Sequence, residues 1–335
     1  MEYYIFGILL LLSVFWGAKI SRTDEQKEIL ARFNNLRGVF AMLIVIGHCS
    51  MRFEHEPLPL LIIHRFNMVG VCFFLFISGW GLMYTYVQNG KTMQGFLKRK
   101  VISLLIMSAI SSIITYIVME GIINQNWDIS KIFMYVINHT NWYIWEICIF
   151  YLMFYVLMRV CKEKSMVIIS FITAMIICIS TWCWGMERAF YFSALSFPVG
   201  MLFNQYWAYI MNLYHKRGFV VASILIGCLS VGAAFTPQDS FYGGVVLRNF
   251  FGIMSIIILM MFVRCIPIEN RITLFLKKYS LEIYLYQFWA LPFVKILFNR
   301  YNITINLIYV IAVCGVVLLV SLMMNKINIL IKKRL

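Results

Sequence analysis

Residues 66–87 read FNMVGVCFFLFISGWGLMYTYV, without one charged side chain. A helix rises 1.5 Å per residue, so about 20 consecutive apolar residues cross the ~30 Å hydrocarbon layer of a bilayer. This stretch is long enough to do so. Its small residues, Ser78, Gly79 and Gly81, fall where a second helix can approach closely. Ten further windows of the same kind lie at about 2–20, 37–54, 101–119, 142–160, 165–185, 189–211, 218–236, 244–263, 279–298 and 303–325. The eighth and ninth windows in chain order are separated by the turn-rich run Thr236-Pro237-Gln238-Asp239-Ser240. The sequence therefore predicts an all-α, polytopic transmembrane helical bundle of about 11 helices, without internal repeats or a soluble appendage.

Composition supports this. The chain is 62% hydrophobic and 13% charged, with a mean hydropathy of +0.83, whereas soluble domains carry roughly 25% charged residues. The net charge of +15 invites a nucleic-acid reading. Nucleic-acid binders gather Lys and Arg into one patch or stripe, but here these residues punctuate the apolar windows, so that class is excluded. The nine cysteines lie mostly inside apolar runs and form no CxxC pair or zinc spacing. They read as small packing residues, and no metal is expected. The first window has the acidic Glu2 before it and Lys19, Arg22 and Lys27 after it, the reverse of a cleaved signal.

Alternating the eleven windows from an outside N-terminus places 22 of the 29 Lys and Arg residues on the inner side. The inner set includes Arg37, Lys91, Lys98, Arg99, Lys100, Lys277 and Lys278, while Arg52, Arg65, Arg188 and Arg248 fall outside. This bias is the positive-inside pattern, with the C-terminus in the cytoplasm.

Ionisable residues inside spans are costly and mark functional candidates. His48 lies within the second window, eleven residues after Arg37. Eleven residues are almost three helical turns, so both side chains share one face about 16 Å apart along the axis. An anion at the mouth and an imidazole base at depth would then lie in line. A structural histidine bonded between helices is the plainer reading. Glu146, in the fifth window, is placed to orient or charge-balance the imidazole, or else to sit beside an interfacial aromatic belt. Glu282 is expected to pair with Arg37 or a basic loop, and Gln287 to bridge helices. Lys98-Arg99-Lys100 reads as an orientation signal or a phosphate clamp.

Taken together these residues resemble the acyltransferase-3 family of integral membrane O-acyltransferases. The similarity rests on Arg37-Gly38…His48, on Phe73-Phe74-Leu75-Phe76-Ile77-Ser78-Gly79 and on the basic stretch Phe96-Leu97-Lys98-Arg99-Lys100. Trp142-Tyr143-Ile144 with Phe150-Tyr151-Leu152, and Ser280-Leu281-Glu282-Ile283-Tyr284-Leu285-Tyr286-Gln287, are similar to later helices of that family. Gln287 departs from it, standing where many members carry His. The resemblance implies an N-terminal extra transmembrane helix with a cytoplasmic linker (residues 1–30) and a ten-helix acyltransferase domain (31–335).

It also implies transfer of an acyl group, commonly acetyl from acetyl-CoA, to a hydroxyl of an extracytoplasmic polysaccharide, cell-surface glycan or lipid-linked sugar, in the bacterial plasma membrane. Arg37, Lys98, Arg99 and Lys100 would hold the acyl-CoA donor, with His48, Arg37 and Glu146 carrying catalysis. The alternative is a membrane transporter or flippase of a glycan or lipid-linked sugar, which also needs many helices and few buried polar groups.

Overall fold

The computed structural model describes residues 1–90, 93–139, 142–236, 240–304 and 306–334. Among them every regular element is helical. α1 (Glu2–Phe15) is followed by α2 (Gln26–Asn35), α3 (Arg37–Ser50), α4 (Leu58–Gln88), α5 (Ser103–Tyr116), α6 (Ile132–His139), α7 (Trp142–Val160) and α8 (Glu163–Cys183). Then come α9 (Ser196–Gln205), α10 (Trp207–His215), α11 (Arg217–Ser230), α12 (Arg248–Cys265), α13 (Arg271–Lys278), α14 (Ser280–Arg300) and α15 (Leu307–Arg334). Lys91, Asn141 and the Pro237–Asp239 part of the expected turn lie outside the described residues.

Nine continuous helical stretches among the described residues are long and apolar enough to cross a membrane. They are Gln26–Ser50, Leu58–Gln88, Lys98–Ile123, Trp142–Val160, Glu163–Cys183, Arg217–Phe235, Tyr242–Cys265, Ser280–Arg300 and Leu307–Ile331. The other two sequence windows take a different form. The window at 2–20 yields the shorter α1, which ends before Gly17, a residue in the left-handed region at φ 74°. The window at 189–211 is an irregular entry followed by α9 and α10, with the helix broken at Tyr206 (φ −110°, ψ 28°).

Irregular backbone inside a bundle must find hydrogen bonds in the protein, because lipid supplies none. Asn249 of α12 does this for the entry to α9. Its Nδ2 donates to the Tyr191 carbonyl at 2.6 Å, and its Oδ1 accepts from the Leu195 N–H at 3.2 Å. At the other end of α12, Arg32 donates to the carbonyls of Val263 and Arg264, both at 3.1 Å, and to Ser21 at 2.7 Å. Those carbonyls belong to the last turn, which has no intrahelical partner of its own. Asn270 caps the start of α13 in a capping box with Thr273 and also donates to the carbonyls of Ser13 and Val14, closing the end of α1. Linker, α2 and the ends of α1, α12 and α13 are thereby tied together.

α4 is the packing centre, lying against α3, α9 and α12. Its contact with α9 is set by two glycines facing each other's backbone. A Cβ on Gly79 would overlap the Phe197 carbonyl, and one on Gly200 would overlap the Phe76 carbonyl. The small residues in the opening stretch thus perform the close approach expected of them. Gly38 meets the backbone of Leu276 in the same way and seats α3 on α13. Around these contacts Phe33, Phe73, Phe76 and Trp80 form a buried aromatic cluster. Leu9, Leu229 and Met323 point outward, as a lipid solvent allows.

A methyl at either α4–α9 glycine should cost at least the ~1–3 kcal/mol of an overpacked core. Gly79→Ala and Gly200→Ala are expected to lower the melting temperature of the detergent-solubilised protein, followed by size-exclusion chromatography after heating. Gly81→Ala, where a Cβ meets nothing within 4 Å, should leave it unchanged.

Candidate active site

α3 carries the two residues around which the site is built. Arg37 is its first residue and His48 lies in its last turn, so the helix holds them in phase on one face. The basic residues near Arg37 divide into two sets. Arg32 pairs with Glu28 at 2.6 Å. Arg264 bonds Asp24, whose carboxyl it holds below the usual carboxylate range, and Asp24 also faces His215 at 3.2 Å. Those charges are neutralised in place.

Arg37 is different: its Nε is buried and makes no hydrogen bond among the described residues. It lines a cavity of about 290 Å³ together with Arg99, Lys100, Lys277 and Lys278. A second, smaller cavity of about 250 Å³ shares Arg37, Lys100, Ser78 and Tyr151 with it. Arg99 and Lys100 belong to a π-helical turn, Lys98–Ile102, that opens the third long span. Turns of this kind are frequent at functional sites because they redirect side chains.

Lys98 is exposed on the same turn and lies outside the lining of both cavities. Lys277 and Lys278, counted in the sequence only as orientation charges, are brought in by α13. Glu282 also borders the basic cavity, yet its Oε1 accepts from Asn325 at 2.9 Å and Asn328 at 2.8 Å, both on α15. These bonds bridge α14 and α15, where the sequence leads one to expect a pairing with Arg37 or a basic loop.

His48 lines a separate cavity of about 550 Å³ toward the other end of the bundle. Its Nδ1 lies 3.0 Å from Oε1 of Gln287 on α14. The Gln287 Nε2 donates to the Tyr284 carbonyl at 3.0 Å, which fixes the amide with its oxygen toward the ring. An amide oxygen can only accept, so the Nδ1 carries the proton and the Nε2 keeps its lone pair. That Nε2 makes no hydrogen bond among the described residues. The geometry is that of an imidazole oriented through one nitrogen and available through the other.

The two regions back onto each other. Tyr143, lining the basic cavity, meets Tyr284, lining the His48 cavity, edge-on with ring centroids 5.1 Å apart. Phe74 packs against both rings, at 6.3 and 6.4 Å. A partition one aromatic layer thick separates the cluster of cations from the imidazole.

Glu146 is not brought to this imidazole by any hydrogen bond. It is completely buried, neither carboxyl oxygen has a partner among the described residues, and it lines neither cavity. Gln287 occupies the orienting place. Its signal in the sequence was a polar residue deep in an apolar helix, where the resembling family often carries His.

Compared with known families, residues 30–326 match the Acyl_transf_3 model, described as an acyltransferase domain. No curated protein matches the chain, and no solved structure does. The match takes in Arg37, His48, both cavities and the partition between them, and the chain belongs to the acyltransferase-3 family of integral membrane acyltransferases.

Proposed function

We propose that the protein moves an acyl group, most simply acetyl, from acyl-CoA on the cytoplasmic side to a hydroxyl of an extracytoplasmic glycan or lipid-linked sugar. The observation that carries this reading is the oriented His48, its Nε2 unengaged, one aromatic layer away from a cavity lined by five cations. The positive-inside charge bias supports assigning that basic end to the cytoplasm of a bacterial plasma membrane.

Arg37, Arg99, Lys100, Lys277 and Lys278 hold the phosphates of the donor, the guanidinium forks by paired hydrogen bonds and the lysines as point charges. Lys98 adds charge to the approach. The acyl thioester passes the partition formed by Phe74, Tyr143 and Tyr284 to reach His48. The His48 Nε2 accepts the proton of the acceptor hydroxyl as its oxygen attacks the thioester carbonyl carbon. The C–S bond breaks, the ester remains on the acceptor, and the coenzyme A thiolate leaves and takes up the proton from the imidazolium. If His48 instead accepts the acyl group itself before passing it on, the reacting nitrogen is again Nε2. Glu146 makes no hydrogen bond to His48 among the described residues and takes no step in this transfer.

With vesicles of known orientation and isotope-labelled acetyl-CoA, label is expected in an external glycan acceptor. His48→Ala should lower the rate by at least about 100-fold, the lower bound for a lost general base, while the protein still inserts and accumulates. Near-normal transfer in that variant would overturn the assignment.

Gln287→Ala frees the ring to rotate and to adopt the other tautomer. It is expected to lower kcat on the order of 10- to 100-fold, less than loss of a charged orienting partner in a triad, with the KM for acyl-CoA unchanged. A fall in melting temperature with kcat intact would make Gln287 a purely structural bridge.

A further inference from the structure

The His48 cavity has a charge that the acyl-transfer chemistry does not need. Three arginines among its described lining residues, Arg65, Arg188 and Arg248, face one lining carboxylate, that of Glu187. His64, also in the lining, is engaged with Glu56 at 3.0 Å, and Glu56 itself is not among the lining residues.

Arg248 is the most informative of these residues. It is only 2% exposed although it borders a cavity. One of its N–H groups goes to the Thr236 carbonyl at 3.2 Å, and its guanidinium lies 5.6 Å from the centre of the Phe192 ring. Its Nε is buried with no partner among the described residues, and so is the Nε of Arg65 on α4. Both residues line the same cavity.

Burying one guanidinium without a counter-ion is expensive, and a second, partly buried one in the same cavity lining adds to the cost. Such an arrangement is compensated when an anion enters between them, and planar guanidinium groups bind oxyanions in two-pronged fashion. The cavity volume of about 550 Å³ is within the ~300–1,000 Å³ of small-molecule sites. Trp142, also in the lining, offers a flat aromatic face.

We infer that this cavity selects an acceptor carrying an oxyanion close to the hydroxyl that is acylated, held between Arg65 and Arg248. The oxyanion is the carboxylate of an acidic sugar or the phosphate of a sugar phosphate. The inference rests on the cavity being the acceptor side of the proposed reaction, and it adds the chemical class of the acceptor.

Binding tests it independently of turnover. The full chain in lipid nanodiscs is titrated with a glucuronate-containing disaccharide, its neutral glucose counterpart and glucose 1-phosphate. The tryptophan fluorescence that includes Trp142 is the readout. An anionic probe is expected to bind about 10-fold or more tightly than the neutral one, the worth of one charge-assisted hydrogen bond. Whichever anion binds more tightly identifies the source.

Arg248→Gln and Arg65→Gln should each abolish the preference while coenzyme A still binds; Lys100→Gln should leave it intact. If the buried Arg248→Gln fails to fold, the less buried Arg65→Gln decides the matter. Equal binding of neutral and anionic sugars, no binding of either, or a preference that survives loss of Arg65 overturns the inference. His48→Ala should keep the preference while losing transfer. In the unsubstituted protein, charge-selective binding with no acyl transfer to any acceptor would refute the proposed reaction and leave the cavity an oxyanion-binding sugar site without its acceptor role.

Discussion

Hydrocarbon supplies no hydrogen bonds, and nearly every polar placement in this protein answers to that fact. Backbone groups are satisfied inside helices. Where the chain is irregular at depth, side chains such as Asn249 complete the bonding. Many polar side chains inside the spans are bonded across helices, as Glu282 is to Asn325 and Asn328, or border a cavity; Glu146 does neither among the described residues. Against this background an unsatisfied buried donor stands out. Arg37, Arg65 and Arg248 each keep such a donor, and each borders a cavity. The cavities are therefore where the missing partners belong.

Close helix contacts make the cavities possible. Gly79 and Gly200 bring α4 and α9 to backbone contact, and Gly38 does the same for α3 and α13. α3 also packs against α14, where Gln287 reaches His48. The position of the imidazole is thus set by three helices: α3 carries it, α14 orients it, and α4 fixes where α3 lies.

Hydropathy made the spans legible because it is additive along a window, and helical periodicity put Arg37 and His48 on one face before any coordinates. Both arguments stop at the neighbouring helix. The left-handed Gly17 that shortens α1 and the break at Tyr206 are single-residue backbone events that a window average does not register. The choice of Gln287 over Glu146 as the partner of His48 depends on how α14 and α7 are rotated about their axes, which no single-helix pattern contains. Charge counting likewise treated Arg264 and Arg37 as equals. Only the fold shows that Asp24 neutralises one while the other borders an open cavity.

The division of charge between the two ends bears on how transfer is confined. A donor with several phosphates is attracted to the basic cavity, and on the proposed reading an anionic acceptor is attracted to the opposite one. Neither anion gains from crossing toward the other, since Phe74, Tyr143 and Tyr284 interpose an apolar layer between them. A short, uncharged acyl chain pays no such desolvation cost. On that reading the partition sorts by polarity: the uncharged thioester end of the donor passes it, while the donor's phosphates and an anionic acceptor stay on their own sides. On the same reading, an imidazole beyond that layer meets the thioester only when the acyl chain is threaded, which would couple reactivity to correct seating of the donor.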